Sequence, residues 1–158
     1  MDQAAAPEPS KAVSPSFYTG KWYEIARLPT KSQRDCEAGV SQFTSGATSS
    51  EFGLVQTCRI GAVNGPLKTF DTTGKITPGA GNAKFVLTFF KMVKQEYWVI
   101  DRSDSLDWVV MVTPGGNYAW LMSRKPVLSD AVKAGAVARL RAAGYPVEKL
   151  IWPKQPGG

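Results

Sequence analysis

The chain has 158 residues, 43% hydrophobic and 20% charged, with a formal net charge of +6 and no histidine. That length fits one domain, and no apolar run reaches the ~18–20 residues that span a bilayer as a helix. The absence of histidine excludes a Ser-His-Asp triad, a Cys-His dyad and His-ligated zinc or haem.

The opening "MDQAAAPEPSKAVSP" is Ala/Pro-rich and has no hydrophobic signal core. Residues 1–16 are expected to form a flexible lead-in, with an export signal already removed. "FYTGKWYEIARLPT" then sets Trp22 and Tyr23 beside Glu24 and Arg27 before Pro29. A wholly exposed strand has no need of Trp22, and a wholly buried one disfavours Glu24 and Arg27. The pattern points to a strand with one face toward an interior and the other outside. "AGVSQFT", "LVQTCRI", "LKTFDTTGKIT", "AKFVLTFF", "EYWVID", "WVVMVT" and "YAWLMSR" follow, separated by Gly, Pro, Asn, Asp and Ser turns. Eight short candidate strands predict an antiparallel sandwich or barrel. "SDAVKAGAVARLRAAG" predicts one helix, with Ser129 as N-cap, Asp130 in the first turn and Gly144 past the end. Val132, Ala136, Leu140 and Ala143 recur at helical spacing, so this helix should pack on the sheet. "KLIWP" reads as a short extra strand.

The basic residues are scattered except near 133–141. A solvated surface is the plainer reading, although contact with an anionic membrane surface is open to such a chain. Nucleic acid is not an expected partner.

The cysteines can be placed by hairpin arithmetic. If "SGATSSEFG" is the connection, pairing centred on Ala47 sets Cys36 opposite Cys58, close enough for a disulfide. Such a bond implies an oxidising compartment; two free thiols in a reducing one are the alternative. The same register sets Gly39 against Val55 and Ser41 against Gly53 on the other face.

Several stretches together resemble the lipocalin family, in its bacterial and apolipoprotein D-like branch. "GKWYEIARLP" resembles the opening Gly-x-Trp motif, "YWVIDRSDSLDWVVMV" the second region and "AWLMSRKPVLSD" the third, while "GYPVEKLIW" resembles the bacterial tail. Cys36 and Cys58 fall where many bacterial members carry cysteines. The resemblance covers about 17–153, and a lipocalin domain is expected over 17–155. One departure is the second-region turn, which has Ser105-Leu106 where the family usually carries a Tyr after the Asp.

The resemblance implies an eight-stranded up-and-down antiparallel barrel with the helix packed outside. It implies that Gly20, Trp22 and Arg124 are structural, with Arg124 lying over Trp22 at the closed end. An eight-stranded barrel has room for one small ligand. Alternation from Trp22 turns Glu24, Ala26 and Leu28 inward, and alternation from Arg124 turns in Met122, Trp120 and Tyr118. Similarity to retinol-binding lipocalins implies that Phe85, Leu87 and Phe89 face the cavity. Tyr97, Met111 and Ile76 follow, and Ser41, Phe43, Val55 and Thr57 line the second and third strands. Glu24 sits toward the Trp22 end, so it is expected to be hydrogen-bonded inside rather than to meet a head group.

The leading expectation is non-enzymatic binding, transport or storage of a fatty acid, lysophospholipid or similar lipid. It needs no cofactor or metal. The expected setting is the periplasm, the outer membrane or outside the cell, as a monomer or weak dimer. One alternative is an enzyme on the same scaffold, of isomerase or epoxide-processing type, with Glu24, Tyr97 and Tyr118 as an acid–base set. Another is a tetrapyrrole carrier with Tyr, Met or Cys as axial ligand.

Overall fold

A computed structural model describes residues 6–156. Eight strands run in chain order: β1 Gly20–Arg27, β2 Cys36–Ser45, β3 Glu51–Ile60, β4 Leu67–Ile76, β5 Lys84–Thr88, β6 Lys94–Arg102, β7 Trp108–Val112 and β8 Ala119–Ser123. Each pairs antiparallel with its neighbours, and β1 also pairs with β8, so the sheet closes into a barrel. Every strand thus has a partner on both sides, although on the β5 side of β4 only Thr73–Ile76 are paired.

The helix α1, Asp130–Ala142, follows β8. The Ser129 hydroxyl accepts a hydrogen bond from the Val132 N–H at 3.2 Å, and Gly144 takes φ +88° just past the end. Ala136 and Leu140 are buried. They join Ile25, Leu28, Val110, Val112 and Leu121 in a second core outside the barrel wall. The barrel therefore has two apolar layers, one inside it and one beneath the helix.

The expected extra strand at 149–153 is a correction: only one bridge forms, between Ile151 and Arg27 at the end of β1. Val147–Lys149 makes a single 3-10 turn instead, and only the Ile151 backbone reaches the sheet.

In the expected lead-in, Ala6 packs on the core beneath α1 and Glu8, Lys11 and Val13 reach the closed end, while residues 1–5 lie outside the described residues. Val13 is buried, and its N–H donates to the Gly81 carbonyl at 2.8 Å. Lys11 pairs with Asp101 at 2.8 Å and Glu8 with Lys84 at 2.8 Å.

Two register features differ from the sequence expectation. In the β2–β3 hairpin, Ser41 faces Gln56 and Phe43 faces Leu54. The displacement from the expected pairing is an odd number of residues, which exchanges the two faces of β3. A bulge between Glu37 and Val40 then brings Cys36 opposite Ile60. Cys36 is bonded to Cys58 on the diagonal, with Cα atoms 5.3 Å apart, so the disulfide forms although the two are not directly opposed. On β1, a second bulge falls between Glu24 and Ala26 against β8.

The β6–β7 turn, where the sequence departs from the family pattern, is built on Ser103. Its hydroxyl accepts from the Asp107 N–H at 2.7 Å and the Trp108 N–H at 3.3 Å. Leu106 is buried in the inner core of the barrel.

Candidate ligand-binding site

The site begins with what seals the barrel. The 3-10 turn Pro15–Tyr18 drops Phe17 and Tyr18 into the closed end. Their rings meet Phe43, Phe52 and Phe85 at centroid separations of 5.0–6.0 Å. Trp22 is 1% exposed and donates its indole N–H to the Phe17 carbonyl at 2.9 Å. The Arg124 guanidinium lies 3.9 Å from the Trp22 ring centre. Its N–H groups donate to the Ser16, Thr19 and Lys21 carbonyls at 2.7–2.8 Å. Gly20 takes φ +72° beneath this guanidinium, a conformation that costs a residue with a Cβ. The structural trio Gly20, Trp22 and Arg124 thus sits together.

Above this seal the barrel holds two adjoining spaces that share lining residues. An inner chamber of about 50 Å³ is lined by Trp22, Glu24, Ser41, Phe43, Phe85, Leu87, Met111 and Met122, among others. A vestibule of about 430 Å³ opens toward the rim between Phe89, Val93, Lys94, Tyr118 and Lys31. Gln33, Gln56, Thr57, Tyr97 and Trp120 line both. The vestibule falls within the volume range of small-molecule sites, ~300–1,000 Å³. The chamber holds one or two water-sized groups, at ~30 Å³ each.

A buried polar cluster adjoins them, with Glu24 on the chamber and Gln33 on both. Glu24 and Arg27, 3% and 2% exposed, approach to 3.4 Å. The bulge places them on the same side, where simple alternation would separate them. Arg27 also donates to the Cys36 carbonyl at 3.2 Å and the Gln33 carbonyl at 2.8 Å. The Gln33 amide donates to both Glu24 oxygens, at 3.2 and 3.0 Å, and its oxygen accepts from the Trp120 indole N–H at 3.1 Å. Gly39 makes room, since the Glu24 carboxylate occupies the place a Cβ there would take. Burial pushes the Glu24 carboxyl up to about 7, against the opposing pull of the Arg27 charge and the Gln33 amide. Burial also raises the Tyr97 hydroxyl well above its ordinary range, with Tyr118 adding to the effect.

The placements divide cleanly. Glu24, Ser41, Phe43, Phe85, Leu87, Met111 and Met122 border the chamber, Phe89 and Tyr118 the vestibule, and Thr57, Tyr97 and Trp120 both. Four expected residues lie elsewhere. Ala26 and Leu28 turn outward into the core beneath α1, because the β1 bulge reverses alternation beyond Glu24. Val55 faces away because the hairpin register turns Leu54 and Gln56 inward instead. Ile76 packs against the aromatic core opposite Phe85, off both spaces. Sequence reasoning missed Leu54, Gln56 and Gln33. The first two follow from the register; Gln33 comes from the β1–β2 loop, where no periodicity marks an inward side chain.

Among the described residues no cluster of three or more His, Cys, Asp or Glu side chains could hold a metal. Both cysteines are joined to each other, so neither remains as a ligand to a tetrapyrrole iron.

The family described as "lipocalin-like domain" matches residues 14–155. The outer membrane lipoprotein Blc of Citrobacter freundii is 29% identical over 161 residues, covering 97% of this chain and 89% of that protein. Blc of Escherichia coli K12 is 28% identical over 142 residues, covering 89% of this chain and 78% of that protein. Among solved structures, insecticyanin from the tobacco hornworm Manduca sexta superposes with a TM-score of 0.74 at 18% identity. That match covers 97% of this chain and 87% of insecticyanin, and it speaks for the fold alone.

Proposed function

We propose, from the premise that this chain belongs to the lipocalin family, that its barrel takes up single lipid molecules, of the fatty acid or lysophospholipid class. Binding and transport of a small hydrophobic ligand is what the family and its bacterial relatives support, in the periplasm or at the outer membrane. The lipid class is our own step. One observation carries it: an aromatic vestibule of about 430 Å³ with Lys31 and Lys94 at its lip. In this reading the acyl chain lies among Phe89, Tyr97, Tyr118 and Trp120, and the anionic head stays at the rim beside the lysines. Each buried CH₂ contributes ~0.8 kcal/mol, so sixteen carbons offer about 12 kcal/mol gross. Lost freedom costs at least ~4 kcal/mol. Micromolar or tighter affinity then follows from the chain, and head-group chemistry is specified loosely.

The chain works by burial, without bond-making. Glu24, the one acid lining either space among the described residues, is held by Arg27 and Gln33, and its nearest partners include no nucleophile. The test is titration of delipidated protein with palmitate and with hexadecanol. Both should bind, palmitate more tightly, and Lys31→Ala with Lys94→Ala should remove that preference. Failure of both ligands to bind sinks the proposal.

A further inference from the structure

We infer that the rim of the barrel's open end is a docking surface for an anionic lipid bilayer. The distribution of exposed apolar side chains carries this. Of the large apolar side chains exposed among the described residues, Val63, Leu67, Phe90, Met92 and Val93 lie on the open-end loops or on strand residues adjoining them, and Val127, Ile151 and Trp152 in the segments after β8. Phe90 is 85% exposed, Met92 73%, Val93 60% and Leu67 56%. Exposed apolar residues scattered singly need no explanation, but a grouped set does. The backbone at Met92 takes φ +64°, a region where glycine or asparagine is the easier residue.

Charge selects the occupant. Lys31, Arg34 and Lys94 are exposed on the same rim and Arg59 and Lys68 half-buried beside them, against Asp35 exposed and Glu37 and Glu96 half-buried. Glu37, nearby, accepts the Lys154 N–H at 3.0 Å. Glu8, Glu51, Asp101, Asp104 and Asp107 lie toward the opposite end. Apolar side chains ringed by cations match an anionic interface, where each Lys or Arg near the surface adds attraction and the apolar groups enter the acyl boundary. A second copy of this chain would bring a rim of the same sign against the first, which disfavours mouth-to-mouth pairing. Docking in this pose places the vestibule directly over the lipid, so a ligand would pass between bilayer and barrel without crossing water.

The experiment is flotation of the purified protein with vesicles of phosphatidylcholine and phosphatidylglycerol, three parts to one, and with phosphatidylcholine alone. Binding to the anionic vesicles should be about tenfold stronger and should fall about tenfold in roughly 0.5 M salt. Met92→Asp with Leu67→Asp should lower it by a further tenfold or so. Val127→Asp, an exposed apolar position outside the rim, should float like the wild type. The rim variants should still bind soluble palmitate, since neither residue lines the vestibule, and that separates loss of docking from loss of the lipid site. Wild-type protein that stays in the aqueous layer overturns the inference, as does equal flotation with both vesicle types. A concentration-dependent dimer that Met92→Asp abolishes, with no vesicle binding, overturns it in favour of self-association.

Discussion

The two ends of this barrel use the same kinds of side chain to opposite purpose. At the closed end Phe17, Phe43, Phe52 and Phe85 interlock with each other and with Trp22, all nearly inaccessible. At the open end Met92 and Val93 stand in solvent. Apolar area removed from water stabilises the fold at ~25 cal/mol per Å²; left outside, it contributes nothing until a partner covers it. Stability should therefore concentrate at one end and recognition at the other.

The largest expected effect breaks the closed end. Trp22→Ala removes a buried indole, its bond to the Phe17 carbonyl and the platform for Arg124. Urea unfolding should show a loss of ~3–5 kcal/mol. Next is the Cys36–Cys58 link, which ties β2 to β3 near the open end across a separation of 22 residues. Replacing both cysteines with Ser should cost ~3 kcal/mol on the loop-entropy estimate, measured by the same unfolding.

Glu24, between the ends, gives a smaller effect that depends on pH. Its folded carboxyl is raised from 4.5 to about 7 by burial. Between those values the folded chain holds a proton that the unfolded chain has released, so stability falls as pH rises through the window. The decline attributable to this group should be about 2 kcal/mol between pH 5 and 8. Glu24→Gln resembles the protonated form, so it should match the wild type at the acidic end and lack the decline above it. An unchanged slope in the variant would remove Glu24 as its source. The smallest effect sharpens the contrast between the ends: Met92→Asp should shift unfolding by no more than ~0.5 kcal/mol, because that side chain is 73% exposed.

Much of this was legible in the residues, for identifiable reasons. Strands and turns announced themselves because β-branched and aromatic runs alternate with Gly, Pro and Asn, and α1 because Ser129 and Gly144 bracket its stripe. Arg124 over Trp22 followed from family resemblance, and the pairing of Cys36 with Cys58 survived an error in register. What was not legible depends on single-residue insertions. The bulge at Glu24/Ala26 exchanged Ala26 and Leu28 for Arg27, and the odd displacement in the β2–β3 hairpin exchanged Val55 for Leu54 and Gln56. Alternation has period two, so one extra residue inverts every later assignment on a strand. Gln33 escaped because its inward turn is fixed by Glu24 and Trp120, residues far from it in the pattern.

The measurement that tests the central claim most directly is native mass spectrometry of the protein purified from a bacterial envelope, followed by organic extraction. A mass excess that extracts as one fatty acid or lysophospholipid per chain is the predicted result. A clean unliganded mass that persists after incubation with several lipids would contradict it, and the aromatic vestibule would then be packing rather than a binding site.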